Sequence, residues 1–152
     1  MAKQSQTGVP KVWVVGGGKG GTGKTFLASS LGIYQSERRR KDVVLLDADL
    51  GGANLHSVFG IKQPKKSLND FFEFQAPLEE LRIETGIKNL ALVAGDIHSL
   101  SADNIRFTQK KKLFRHIKQL NTKYVLLDVG GGSHYNIIDT FLFADKGIAV
   151  MT

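Results

Sequence analysis

Cysteine is absent from the 152 residues, which excludes a disulfide framework, a thiolate metal site and a cysteine nucleophile in this chain. Long apolar runs are absent too. None approaches the ~18 residues needed to cross a bilayer, and Met1–Pro10 lacks the apolar core of a secretory signal, so the expected location is cytoplasmic. The four histidines, His56, His98, His116 and His134, show no metal-ligand spacing, and nothing pairs one with a nucleophile. They read as structural or surface residues. There is no internal repeat and no low-complexity tract.

What is present is an ordinary globular balance: 41% hydrophobic against 23% charged residues suffices for one domain with a sizeable core. The formal charge of +7 and pI near 9.7 suit an anionic partner, whether nucleotide, nucleic acid or membrane surface. The positive charge gathers in Arg38–Lys41, Lys62–Lys66 and Lys110–Lys112, which read first as solvated helix ends and loops. No basic–aromatic surface motif points to nucleic acid, and no amphipathic element here supports membrane docking.

Residues 1–10 form a polar leader broken by Gly8 and Pro10, and 11–152 the domain. Val12–Val15, Val43–Leu46, Leu90–Val93, Tyr124–Leu127 and Ile148–Val150 are continuous apolar runs, as expected of strands covered on both faces of a parallel sheet. Helical candidates lie between them at Lys24–Arg38, roughly Asn104–Leu120 and around Tyr135–Phe143, with short helices and turns over Gly51–Thr85. In the second, Phe107, Leu113, Phe114, Ile117 and Leu120 fall near one face, the pattern of a sheet-covering helix. The alternation predicts a three-layer α/β fold with right-handed crossovers. The final run reads as a strand with no helix after it, so the chain is expected to be part of a longer protein.

Gly18-Lys19-Gly20-Gly21-Thr22-Gly23-Lys24-Thr25 fits G-x-x-x-x-G-K-[ST] between a predicted strand and a predicted helix. Glycines let backbone N–H groups curl around phosphate oxygens, and the helix N-terminus adds partial positive charge. Lys24 is placed to reach the β- and γ-phosphates and Thr25 to ligate Mg²⁺. Such a ligand needs carboxylates, and three stand at strand ends: Asp47 and Asp49 in VVLLDADLGGANL, and Asp128 in YVLLDVGGG. The apolar run before Asp128 is a Walker B pattern, with Asp128 expected toward Mg²⁺, through water. Asp47, at its strand's end, suits contact with Mg²⁺ water, and Asp49, further into the loop, the positioning of a hydrolytic water. Gly130–Gly132 can bring backbone N–H groups to a γ-phosphate. The plainer alternative, carboxylates capping turns, stays open.

These residues resemble a known family. Lys19-Gly20-Gly21-Thr22-Gly23-Lys24-Thr25 is similar to the deviant Walker A pattern KGGxGK[ST] of the MinD/ParA ATPases, a SIMIBI-class P-loop NTPase fold. Asp47-Ala48-Asp49-Leu50 resembles their switch I and Asp128-Val129-Gly130-Gly131-Gly132 their switch II. The similarity runs over nearly all of Lys11–Thr152, and 49–56 and 144–148 look closest to the FlhG/FleN-like branch, regulators of polar flagella in other bacteria. The resemblance implies that Lys19 is the signature lysine, reaching the phosphates of a second subunit's nucleotide in an ATP-dependent homodimer. It implies catalytic roles for Lys19, Lys24 and Asp49, ATP contacts from Gly20, Gly21, Thr22, Gly23, Lys24, Thr25, Phe26, Gly131 and Gly132, and a Mg²⁺ environment of Thr25, Asp47 and Asp128. Proteins of this kind are slow ATPases that dock on membrane or DNA as ATP dimers and are released by hydrolysis, so a membrane or protein partner is implied for the full-length chain.

Two departures stand out. Gly131 occupies a position where the family usually has Ala or Pro, and the family continues for roughly another half domain, which carries much of the adenine pocket and, in MinD-like members, an amphipathic membrane helix. Other readings stay open: a metabolic or metal-cluster-assembly ATPase of the same superfamily, an amidoligase relative of the cobyrinic acid synthases, or a nucleotide-binding module without turnover. Redox chemistry like that of the nitrogenase iron protein is excluded at switch II, because Gly130–Gly132 and Ser133 stand where that relative places a cluster-binding cysteine.

Overall fold

The computed structural model describes residues 8–49, 52–95, 106–130 and 134–151, the side chains of 134–136 excepted. Its centre is a six-stranded sheet in the order β3-β4-β2-β5-β1-β6, made of β1 (Lys11–Gly16), β2 (Val43–Asp47), β3 (Ile83–Glu84), β4 (Leu90–Val93), β5 (Tyr124–Asp128) and β6 (Lys146–Ala149). All neighbours run parallel except β3, which pairs antiparallel with β4. The continuous apolar runs become buried strands because both faces are covered: every residue of β2 is buried, as are the last four of β5.

One face carries α1 (Lys24–Ile33) and α2 (Leu55–Val58), over a core of Leu45, Leu55, Leu92 and Leu126. Gly32 lets α1 sit close, since a Cβ there would stand 3.1 Å from the Leu45 side chain. The helical pattern read over Lys24–Arg38 continues past α1 as a π-helical turn, Tyr34–Arg38. The opposite face carries α3 (Leu68–Glu73), α4 (Phe107–Ile117) and α5 (His134–Phe143) over Val14, Leu46, Phe71, Leu113, Ile117 and Leu127. The three-layer α/β architecture expected from the alternation is the one observed.

Two details differ from the sequence reading. The segment 51–85, expected to hold only short helices and turns, also contributes β3, a two-residue strand too short to show a period. The last run, expected to be a buried strand at Ile148–Val150, forms β6 two residues earlier, and β6 is an edge strand whose residues are half-buried or exposed. The helix read from Asn104 is described from Phe107. Asn104 itself lies outside the described residues.

Register decides where chemistry collects. Asp47 is the Cα partner of Asp128 across β2 and β5, and Asp128 is the partner of Val15 across β5 and β1. The C-terminal ends of these three central strands, each continuing into a glycine-containing loop, therefore meet at one end of the sheet, where open α/β folds bind ligands.

Candidate functional site

The loop from Gly17 to Gly23 joins β1 to α1. Gly21 (φ +73°) and Gly23 (φ +91°) hold left-handed backbone, a conformation that a side chain would strain. Space is not the constraint there, since a Cβ at either would meet nothing within 4 Å. Gly23 is the N-cap of α1 and brings no side-chain cap, and the first turn of the helix has no acidic residue. The amides at that terminus are thus left for an anion.

Lys24 is 7% exposed, with its ammonium turned back into the loop, donating to the Lys19 carbonyl at 2.6 Å and to Thr22 Oγ1 at 3.4 Å. The Thr25 hydroxyl donates to Asp128 Oδ2 at 2.7 Å, tying the first turn of α1 to the end of β5. Lys19 is on the surface, and Phe26 projects into solvent at 76% exposure. A cleft of about 390 Å³ runs along the loop, lined by Gly20 to Phe26 and by Asp49, Asn54, Asp128 and Gly130.

Asp49 rather than Asp47 faces this cleft. Its carboxylate lies against Gly130, where a Cβ would overlap the carboxyl group, and it stands 3.0 Å from where a Cβ on Gly52 would be. Gly130 is needed for that close approach. Asp47 is fully buried behind the cleft, with Oδ1 accepting from the Asp49 amide at 3.1 Å and Oδ2 from the Leu55 amide at 2.9 Å. It shapes the loop that carries Asp49, and the start of α2.

All three carboxyls are harder to ionise than an ordinary aspartate. Burial pushes Asp47 up to about 7, opposed by the Leu55 amide and reinforced by the charge of Asp128. Burial also raises Asp49, with Lys24 working against it. Burial raises Asp128 as well; the Thr25 hydrogen bond opposes this and the charge of Asp49 adds to it. Lys24 is the cation set against Asp49 and Asp128, and Asp47 is opposed only by backbone amides, so the site is short of positive charge when all three ionise.

That shortage fits the Mg²⁺ that accompanies a nucleotide, the phosphates themselves being met by the loop amides and Lys24. Hydroxyl and carboxylate oxygens are the donors Mg²⁺ takes, and it keeps several waters while using one or two carboxylates and the phosphates. Among the described residues no three histidine or acidic side chains group as metal ligands. Gly131 and Gly132, expected to contact the nucleotide, lie outside the described residues.

Asn54 lines the cleft although nothing in the sequence marked it. It sits five residues after Asp49 in a glycine-containing turn, and no spacing rule singles out an amide there. His98 also lies outside the described residues. His56 is buried at 8% exposure, and His116 packs edge-on against Phe71, both away from the cleft lining.

Residues 13–143 match the family described as CbiA, the CobQ/CobB/MinD/ParA nucleotide binding domain. The chain is 31% identical over 148 residues to a putative septum site-determining protein MinD of Tupiella akineta, covering 93% of this chain and 46% of that one. Similarity to the antiactivator FleN of Pseudomonas aeruginosa is higher, 41%, but confined to 71 residues, 47% of this chain and 25% of FleN. It gives the flagellar branch only weak support. Among solved structures, MinD of Pyrococcus horikoshii OT3 complexed with Mg-ADP superposes with a TM-score of 0.77 at 26% identity, over 93% of this chain and 58% of that one. The chain spans about half the length of the curated relatives it matches. With the glycine loop, the buried lysine and the strand-end carboxylates in one cleft, the chain belongs to the MinD/ParA-type nucleotide-binding family and has its P-loop NTPase fold.

Proposed function

We propose that this domain binds Mg–ATP and hydrolyses it slowly, as a switch whose ATP form is a dimer. The observation that carries the reading is the Thr25–Asp128 hydrogen bond of 2.7 Å beside the buried Lys24. It sets a hydroxyl, a carboxylate and an ammonium at the uncapped N-terminus of α1. Loop amides from Gly20 to Thr25 and the Lys24 ammonium hold the phosphates. Thr25 and Asp128 hold the Mg²⁺ environment, with Asp47 supporting it from behind through the backbone of Asp49 and Leu55. The ion, when bound, neutralises phosphate charge and orients the terminal phosphoryl group.

Asp49, at the cleft surface, positions the attacking water. Lys19, exposed in the same loop, serves the nucleotide of a second subunit. By analogy with the septum-site and antiactivator relatives, the switch positions a cellular structure from the cytoplasm or a membrane surface.

Titration calorimetry with Mg–ATP tests the binding, and light scattering of the full-length protein tests the switch. Lys19→Ala is expected to keep monomeric nucleotide affinity and lose ATP-dependent dimers; unchanged dimerisation overturns its role. A second reading, phosphate binding without turnover, draws on the cleft itself, where Phe26 is the one large apolar side chain among the described lining residues. Equal turnover by this chain and by a full-length relative would remove that reading.

A further inference from the structure

The residues lining the cleft beside the glycine loop fall into two groups. The loop and the first turn of α1 bring backbone amides and the Lys24 ammonium; the segments after β2 and β5 bring Asp49, Asn54, Asp128 and Gly130. Phosphate oxygens accept hydrogen bonds, and an ionised carboxylate can only accept as well. The Asn54 carboxamide is therefore the one side-chain donor that the described residues of the second group turn to the cleft.

That side chain is spared the task its position would ordinarily give it. Asn54 is the N-cap of α2, where an asparagine normally takes an amide of the first turn, yet its side chain makes no cap. Asp47 reaches that turn instead, its Oδ2 accepting from the Leu55 amide at 2.9 Å. Asn54 is exposed, and among the described residues no hydrogen bond engages its carboxamide.

The backbone beneath it is held firmly. The Asn54 carbonyl accepts from the Ser57 hydroxyl at 2.6 Å and from the Ser57 amide at 3.0 Å. On one side Leu55 is fully buried. On the other, Ala53 packs so close to Gly95, two residues past β4, that a Cβ there would stand 2.7 Å from the Ala53 methyl. An uncommitted carboxamide on a backbone seated on both sides is preorganised for a ligand, because little freedom is lost when it makes contact.

We infer that Asn54 reads the terminal phosphoryl group of the nucleotide and so sets a preference for ATP over ADP. The inference rests on the Mg–ATP reading above and extends it to a residue outside the glycine loop. A carboxamide N–H donates to an oxygen of that group, and the carboxamide oxygen accepts from the water that Asp49 positions; ADP offers the N–H no such oxygen. An aspartate in the same place would have no proton to give and would add a third negative charge against the phosphate. Because Leu55, the next residue, is tied to Asp47, the contact also bears on the start of α2.

Calorimetric titration of the full-length protein with Mg²⁺ and either a non-hydrolysable ATP analogue or ADP tests it. Asn54→Ala is expected to lose at least about 10-fold in affinity for the analogue, as for a hydrogen bond to a charged group, and less than about two-fold for ADP. Asn54→Asp is expected to lose more of the analogue than Asn54→Ala does. Melting curves of wild type and Asn54→Ala without nucleotide are expected to coincide, since the carboxamide supports nothing in the free protein. Equal losses for the two ligands would make Asn54 a residue that merely shapes the cleft, and an Asn54→Ala that binds the analogue as wild type does would leave the terminal group to other residues. Either result overturns the inference. A wild type that binds neither ligand overturns the Mg–ATP reading itself, and the inference falls with it.

Discussion

Asp47, Asp49 and Asp128 stand where the parallel strands end; Asp145 stands where β6 begins, at the opposite end of the sheet. The first three are raised by burial. Asp145 is exposed and lowered, chiefly because its Oδ2 accepts the Val12 amide at 2.7 Å, with Lys118 alongside. One residue type is thus held in a costly state at one end and a comfortable one at the other. Acids kept short of counter-charge beside a glycine loop mark an end built to receive a ligand, and an acid satisfied by its own chain marks an end built to hold together.

The sharpest way to break this contrast is to remove Lys24, the cation that acts on Asp49 and Asp128. Lys24→Ala is expected to weaken Mg–ATP binding by at least about 100-fold, as the loss of a buried charge-assisted phosphate contact. Calorimetric titration reads it. Affinity within a few-fold of wild type would mean that the amides alone hold the phosphates. Asp49→Ala ranks next, and should lower turnover by about 100-fold or more while leaving binding largely intact. Retained hydrolysis would take the attacking water away from Asp49.

Asp47 gives the contrast a pH signature. Its folded value, about 7, lies above its ordinary value of 3.8, so between these the folded chain holds a proton that the unfolded chain has released. Stability from this group is fully present below pH 3.8 and is lost as pH rises through 7. Asp47→Asn removes the titration. Between pH 4 and 7 the ligand-free wild type is therefore expected to lose more thermal stability than the variant. Parallel melting curves against pH would show that Asp47 ionises freely where it is buried.

How far all this could be read from residues depends on what sequence constrains. Five apolar runs and the intervening helical patterns sufficed for the layers, because burial on both faces forces continuous apolar strands. The glycine loop and its lysine were legible because spacing there is set by a phosphate. The division of labour between Asp47 and Asp49 was not. Both lie at one strand's end, and which of them faces the cleft depends on whether the Leu55 and Asp49 amides fold back onto Asp47, a tertiary choice. β3 escaped notice because two residues have no period, and β6 was read as buried because its sequence says nothing about which neighbour lies beyond it.

The smallest effect belongs to the comfortable end. Asp145→Asn keeps an oxygen for the Val12 amide and loses the ion pair with Lys118, whose partners are 32% and 50% exposed. Pairs this open to solvent contribute up to about 1 kcal/mol. The sign is opposite to that of Asp47: a lowered carboxyl stabilises above its ordinary range, and the contribution disappears as pH falls through its folded value. The wild type should therefore exceed Asp145→Asn slightly near neutral pH and lose that margin in acid, with salt shrinking it further. A variant that loses several-fold more, or that alters Mg–ATP affinity, would show that the two ends are coupled through β1, whose Val12 amide Asp145 holds and whose last residue opens the phosphate loop.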